Sequence, residues 1–220
     1  MLLSLICQSK HHDSQSKANS DSGIRCGVSN SDLGGNTTLV VAPLSLLAQW
    51  EEELLTKTSL SYFVHYGDKK LDDYSSVDVV VTTYGTIQGE LQSQLKKKKK
   101  GINEDGNNQD KIPGLLGVLW KRVILDECHS IKNNATIVSR ACCLLRAERR
   151  WCVSGTIIQN SLDDVYALLK FLRHEPWCER SFWKKAVVSE SDLNVALGRV
   201  RRVLGPIMIR RTKESRDGDG

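Results

Sequence analysis

The stretch RVILDECH, Arg122–His129, decides how this chain is read. A β-branched, apolar run that stops at two acids predicts a strand buried on both faces, ending in a polar site. Open parallel sheets bind their ligands at the edge where the carboxyl ends of the strands emerge. Asp126 and Glu127 are therefore candidate ligand groups. An aspartate there offers oxygen to Mg²⁺, and a neighbouring glutamate can take a proton from an attacking water. By themselves, the two acids fit a solvated strand end equally well.

The same pattern recurs on either side. Upstream, TLVVA at Thr38–Ala42 is a short apolar strand stopped by Pro43. In Leu44–Leu55, which follows, Leu44, Leu47, Trp50, Leu54 and Leu55 stand close to helical spacing. Tyr62–Tyr66 and Val77–Thr82 predict two more strands, and Thr86–Leu95 a helix. Downstream, Thr136–Leu145 predicts a helix and Trp151–Ser154 a strand that opens into Gly155, Thr156, Gln159 and Asn160. Ser161–Leu172 predicts a helix whose Ser-x-x-Asp opening, Ser161 to Asp164, resembles a capping box. Strands alternating with helices predict an α/β fold, a parallel sheet with helices on both faces. Residues 175–205 show a helical pattern and no strand, which predicts a C-terminal helical appendage.

Between these elements lie two polar stretches. Residues 8–36 are rich in Ser, Asn, Asp, Lys and Gly and read as a flexible insert. Residues 96–113, KKKKKGINEDGNNQDKIP, read as a solvated Lys-rich loop, although such a run also suits phosphate. The 31 basic and 26 acidic residues leave a formal charge of +5, all of it supplied by Lys96–Lys100, so net charge alone says nothing of a nucleic-acid partner. The C-terminal part is distinctly basic. Arg199, Arg201, Arg202, Arg210, Arg211 and Lys213 suit DNA phosphates, a solvated helix face or pairing with another domain. Seven cysteines at irregular spacing argue against a disulfide framework. Cys7, His11, His12 and Cys26 match no common zinc-ligand spacing. No apolar run approaches the ~18 residues that span a bilayer, and no membrane partner is expected.

Four segments in order carry a resemblance: VAPLSLLAQW (Val41–Trp50), TTYGT (Thr82–Thr86), LDECH (Leu125–His129) and SGTIIQN (Ser154–Asn160). They resemble motifs Ia, Ib, II and III of superfamily-two DNA motors, and more narrowly of the Swi/Snf-type ATPases. ALLKFLRHEPW and PIMIRRTK (Pro206–Lys213) resemble the branch of the helicase-like transcription factor and the post-replication-repair translocases. The resemblance runs from about Thr37 to Lys213. It implies a RecA-like first helicase lobe over residues 37–172, with residues 173–220 forming a helical protrusion and lobe-connecting segment.

The resemblance also implies roles. Asp126 would coordinate the Mg²⁺ of ATP, Glu127 would be the catalytic base, and His129 would link the nucleotide site to motif III. Ser154, Gly155, Thr156 and Gln159 would couple hydrolysis to lobe movement. Pro43, Leu44 and Ser45, with Thr82 and Thr83, would lie near the backbone of double-stranded DNA, positioning it without reading sequence. Nucleosomes or repair proteins are the further partners implied, and the nucleus the location. Cys128 departs from the usual Ala or Gly of motif II, and Ile157 from the usual Pro of motif III.

No G-x-x-x-x-G-K-[ST] loop occurs in the sequence. Met1–Ile6 (MLLSLI) resembles the helix that follows that loop in the family, so residues 1–36 read as a remnant of this helix plus the insert. The chain is accordingly expected to be a fragment that does not hydrolyse ATP alone. The rival reading is a catalytically dead module that binds DNA or a partner protein.

Overall fold

The computed structural model describes Leu3, Ile6 and Cys7, and residues 36–99, 114–156 and 161–210. Its contacts divide the chain into two compact units, Met1–Leu172 and Arg173–Gly220.

The first unit is built on a five-stranded sheet in the order β2-β3-β1-β4-β5. The strands are β1 (Thr38–Ala42), β2 (Tyr62–His65), β3 (Val79–Thr83), β4 (Leu119–Leu125) and β5 (Arg146–Cys152). Every pairing is parallel. This is the α/β architecture expected from the strand–helix alternation. The central strands β1 and β3 are buried at every position, which is why they read as unbroken apolar or threonine runs.

Successive side chains point to opposite faces of the sheet, and each face has its own core. Val40, Ala42, Val79, Val81 and Ile124 pack with Leu47, Trp50 and Leu54 of helix α1 (Leu47–Lys57). Ile6 is buried in the same layer, with Leu3 and Cys7 beside it. Leu39, Val41, Val80, Val123 and Leu125 face the other way. They meet Tyr84, Ile87 and Leu91 of α2 (Tyr84–Lys99), Ala141 and Cys142 of α3 (Ile137–Leu144), and Leu168 and Phe171 of α4 (Leu162–Leu172). The helix after β1 thus covers one face, and the helices after its neighbours β3 and β4 cover the other. Chain reversals of this kind open crevices at the carboxyl ends of the strands.

Local chemistry sets the helix starts. Thr136 Oγ1 accepts from Ser139 N at 3.3 Å to open α3, and Thr83 Oγ1 accepts from Thr86 N at 3.1 Å in the first turn of α2. Asp164 reaches back to the Ser161 N–H at 3.5 Å and to its hydroxyl at 3.4 Å, the reciprocal half of the box its spacing suggested.

Two boundaries differ from the sequence reading. Helix α2 runs to Lys99, so Lys96–Lys99 are helical rather than the start of a loop; residues 100–113 lie outside the described residues. Lysine is a good helix former and extends a helix with no apolar face to bury. Strand β5 begins at Arg146 rather than Trp151. It lies at the sheet edge, where charged side chains are tolerated and the apolar signal of a strand is lost.

A buried polar chain closes the region after the Lys-rich stretch. Burial pushes the Tyr74 phenol up to about 12, helped by the nearby Glu90 charge. Its hydroxyl lies 2.9 Å from His65 Nδ1. Burial, with Lys70 nearby, lowers the His65 imidazole. His65 Nε2 is in turn 3.7 Å from Glu90 Oε1, which accepts from Leu115 N at 3.3 Å. Gly114 sits beside this carboxylate at φ +78°, and a Cβ there would lie 2.7 Å from Glu90 Oε1. Gly114→Ala should therefore cost about 2–3 kcal/mol, from the left-handed backbone and the displaced Glu90 bond. Denaturant unfolding of the variant against the parent measures it; a loss under ~0.5 kcal/mol would show that the carboxylate yields freely.

The second unit is helical but not continuously so. Helix α5 (Arg180–Trp183) passes into a π-helical turn, Lys184–Val188, and α6 spans Leu193–Leu204. The single pattern over residues 175–205 is thus broken at Ser189–Asp192, where Asp192 caps α6 through Asn194 N at 2.8 Å. Trp183, Val187, Ala196 and Val200 form its buried seam.

Candidate functional site

Register brings the chemistry-bearing residues to one rim. Val41 lies level with both Thr82 and Leu125, and Leu125 with Cys152. Since these strands are parallel, Pro43, Tyr84, Asp126 and Val153 all leave the sheet at the same edge. The acidic pair and the turns at Pro43, Thr82 and Gly155 therefore share one end of the sheet, as the sequence reading requires.

Asp126 is held from four directions. Its N–H donates to Val41 O at 2.8 Å, continuing the β4–β1 ladder. Its carbonyl accepts from the Tyr84 hydroxyl at 2.7 Å. Its carboxylate accepts from Glu127 N through Oδ1 at 3.0 Å and from Trp50 Nε1 through Oδ2 at 2.8 Å. Burial raises the Tyr84 phenol far above its ordinary value, with nearby cysteines and Asp126 adding to the shift, so it stays a donor.

Glu127 has φ 48° and ψ 52°, the left-handed region. A side chain there costs about 1–2 kcal/mol. The turn is fixed by Ser130, whose N–H and hydroxyl both donate to Glu127 O at 3.0 Å. Glu127 Oε2 stands 3.1 Å from His129 Nδ1. That nitrogen has no aligned hydrogen bond, so the pair is a close polar contact rather than a directed bond. Both side chains are about two-fifths exposed, at 39% and 40%, which puts them within reach of water.

The strand end that carries Ser154 is joined to this turn by main-chain bonds. Val153 N donates to Leu125 O and Cys128 N to Val153 O, each at 2.9 Å. Ser154 Oγ accepts from Thr156 N at 3.3 Å and donates to Thr156 O at 3.0 Å, around an exposed Gly155. Ile157 and Gln159 lie outside the described residues. Cys128 is buried beneath the turn. Its thiol contact, together with burial, holds the Cys152 thiol well above its ordinary value. The small Cys128 side chain thus fills the position where Ala or Gly was expected. None of the six cysteines among the described residues forms a disulfide.

On the β1 side, Leu44 and Ser45 are exposed beside half-buried Pro43. Thr82 and Thr83 are buried instead. Thr82 Oγ1 donates to His65 O at 2.8 Å, and Thr83 Oγ1 lies 2.9 Å from Thr86 Oγ1. Their hydroxyls hold the strand end and the α2 cap, which leaves Leu44 and Ser45 as the accessible part of that set. In the second unit Arg201, Arg202 and Arg210 are exposed, while Arg199 is tied to Glu190 at 3.0 Å and to Ala186 O at 2.6 Å. Arg211 and Lys213 lie outside the described residues.

The donor set suits a nucleotide-borne Mg²⁺. Each Asp126 carboxylate oxygen accepts one hydrogen bond and has a further lone pair to offer. Among the described residues no group of three or more His, Cys, Asp or Glu side chains converges on a metal position. One oxygen-donating carboxylate, with water and phosphate supplying the rest, is how Mg²⁺ is commonly held. The sequence reading did not find the parts played by Trp50 and Tyr84, which it treated as a helix core position and a turn residue. The available signal was that a buried indole or phenol needs a polar partner.

Comparisons with known proteins point one way. The SNF2-related domain matches residues 1–217. The chain is 42% identical over 195 residues to the DNA repair protein RAD5A of Arabidopsis thaliana, covering 85% of this chain and 18% of that protein. It is 34% identical over 202 residues to the DNA repair protein rad8 of Schizosaccharomyces pombe, covering 86% and 16%. The Sulfolobus solfataricus SWI2/SNF2 ATPase core in complex with dsDNA superposes with a TM-score of 0.65 at 26% identity, over 83% of this chain and 35% of that one. The chain spans less than a fifth of the length of these two curated relatives. With its parallel RecA-like sheet, its ordered motifs and these similarities, the chain belongs to the SNF2-related domain family.

Proposed function

We propose that this chain is the Asp-Glu-bearing side of the first ATPase lobe in a nuclear, ATP-dependent double-stranded-DNA translocase that acts in chromatin remodelling or in DNA repair and damage tolerance. The observation that carries the reading is the shared rim. Asp126 and Glu127 leave β4 directly beside the exposed Leu44–Ser45 turn after β1 and the Ser154–Thr156 turn after β5. The DNA-repair relatives and the DNA-bound SWI2/SNF2 core support the substrate and setting.

In this reading Asp126 presents oxygen to the Mg²⁺ that accompanies ATP. When bound, that ion offsets the charge on the transferring phosphoryl group. Glu127, half exposed on its strained turn, takes the proton of the attacking water. His129 contacts Glu127, and Ser154, Gly155, Thr156 and Gln159 pass the state of the site to a partner lobe. Pro43, Leu44 and Ser45 meet DNA phosphates, with Thr82 and Thr83 bracing the neighbouring turn. The sequence holds no phosphate-binding G-x-x-x-x-G-K-[ST] loop, so the activity is proposed for the whole protein and not for these residues alone.

The test compares phosphate release by the full-length protein and by this 220-residue chain, each with and without mixed-sequence duplex DNA. We expect DNA-stimulated release from the former and none from the latter. Absence of DNA-stimulated release from the full-length protein would overturn the reading in favour of a catalytically dead binding module.

A further inference from the structure

We infer that Trp50 is a positioning residue for the metal-binding carboxylate: its indole N–H orients Asp126 from the helix that follows β1. The inference rests on the assignment of Asp126 to the Mg²⁺ of ATP.

The geometry is specific. Trp50 Nε1 lies 2.8 Å from Asp126 Oδ2, across 76 residues of sequence. An indole nitrogen donates and never accepts, so the bond has one sense and always engages the carboxylate as an acceptor. Trp50 is buried at 9% exposure, packed on α1 among the residues under Val40, Ala42 and Val81. That packing fixes the donor in space independently of Asp126. Oδ1 is fixed by the following backbone N–H at 3.0 Å. With both oxygens anchored, the carboxylate cannot rotate about its Cβ–Cγ bond without breaking a bond, yet each oxygen keeps a lone pair for a ligand.

Tyr84 completes the cradle from the opposite face. Its hydroxyl donates to the Asp126 carbonyl at 2.7 Å. Helices on the two faces of the sheet therefore each lend one hydrogen bond to a single residue. Tyr84 holds the main chain of that residue, whereas the Trp50 side chain reaches its carboxylate. An aspartate free to rotate would have to be ordered each time a metal–nucleotide complex arrives, and one already held is not. Hydrogen-bonded partners that orient metal ligands typically contribute about 10–100-fold in affinity or activity.

The experiment uses the full-length protein with Mn²⁺ in place of Mg²⁺ and ADP present, free Mn²⁺ being followed by electron paramagnetic resonance. Trp50 is replaced by benzothienylalanine, which keeps the ring shape and lacks the N–H, and in parallel by 5-fluorotryptophan, which keeps it. Trp50→Phe is the genetic counterpart. We expect the benzothienyl protein to bind Mn²⁺ with ADP about tenfold more weakly, and the fluorotryptophan protein to bind as the parent does. In an Asp126→Asn background the benzothienyl replacement should add nothing further, because both changes act through one contact. Unchanged binding in the benzothienyl protein, with binding weakened by Asp126→Asn, overturns the inference and leaves the Asp126 assignment standing. Unchanged binding in Asp126→Asn itself overturns both.

Discussion

Glu127→Gln in the full-length protein is expected to lower DNA-stimulated ATP hydrolysis by about 10²–10⁴-fold, the range for removing a positioned general base. The glutamine keeps the length and nearly the shape of the side chain, so the left-handed turn at φ 48° and the two Ser130 bonds to Glu127 O should persist. What is lost is the carboxylate proposed to accept the proton, which stands 3.1 Å from His129 Nδ1. Nucleotide and DNA binding should stay near parental levels, since neither depends on that proton transfer. Steady-state phosphate release and fluorescent-nucleotide titration separate the two effects. Hydrolysis within a factor of a few of the parent would show that another group activates the water.

The second large effect is structural. Trp120→Ala should destabilise the first unit by about 3–5 kcal/mol, the range for truncating a large buried aromatic. Trp120 is fully buried on β4, six residues before Asp126. Its ring centroid lies 5.5 Å from that of Tyr74, and its indole donates to Leu115 O at 3.1 Å. Alanine removes the packing, leaves a void between the sheet and the residues after the Lys-rich stretch, and strands a buried carbonyl. A loss of this size is a large share of the 5–15 kcal/mol that typically holds a domain together. Hydrogen exchange at the β1 and β4 amides reads it without requiring activity, because those amides exchange only when the sheet opens. Protection unchanged from the parent would show that the void is refilled.

Both predictions depend on residues whose settings differed in how far the sequence revealed them. RVILDECH, TLVVA and VDVVVT read as buried parallel strands because a sheet covered on both faces needs apolar side chains at successive positions, and a run of that kind is a local signal. The order of those strands, each closing on a polar turn, also carried the common rim, since parallel strands deliver their ends to one edge. The acidic pair, the Ser154–Thr156 turn and the Pro43–Ser45 turn were therefore legible as candidates from one dimension.

The edge strand was legible only in part. RAERRWC has four charged residues in seven, and only its last residues carried an apolar pattern. Tertiary pairing with β4 made the remainder a strand. The lysines at 96–99 likewise read as loop from their charge, and the structure keeps them in α2.

The sequence alone determined the α/β class, the succession of motifs and the identity of the two acids, because each is encoded within a few neighbouring residues. Only the tertiary structure decided that Trp50 and Tyr84, 76 and 42 positions away, fasten Asp126 from opposite faces. It also decided that Glu127 sits in a left-handed turn and that the Thr82 and Thr83 hydroxyls are turned to protein partners. Hydrogen bonds between distant residues depend on register and helix placement, which arise from packing the whole sheet and leave no periodic trace in the chain.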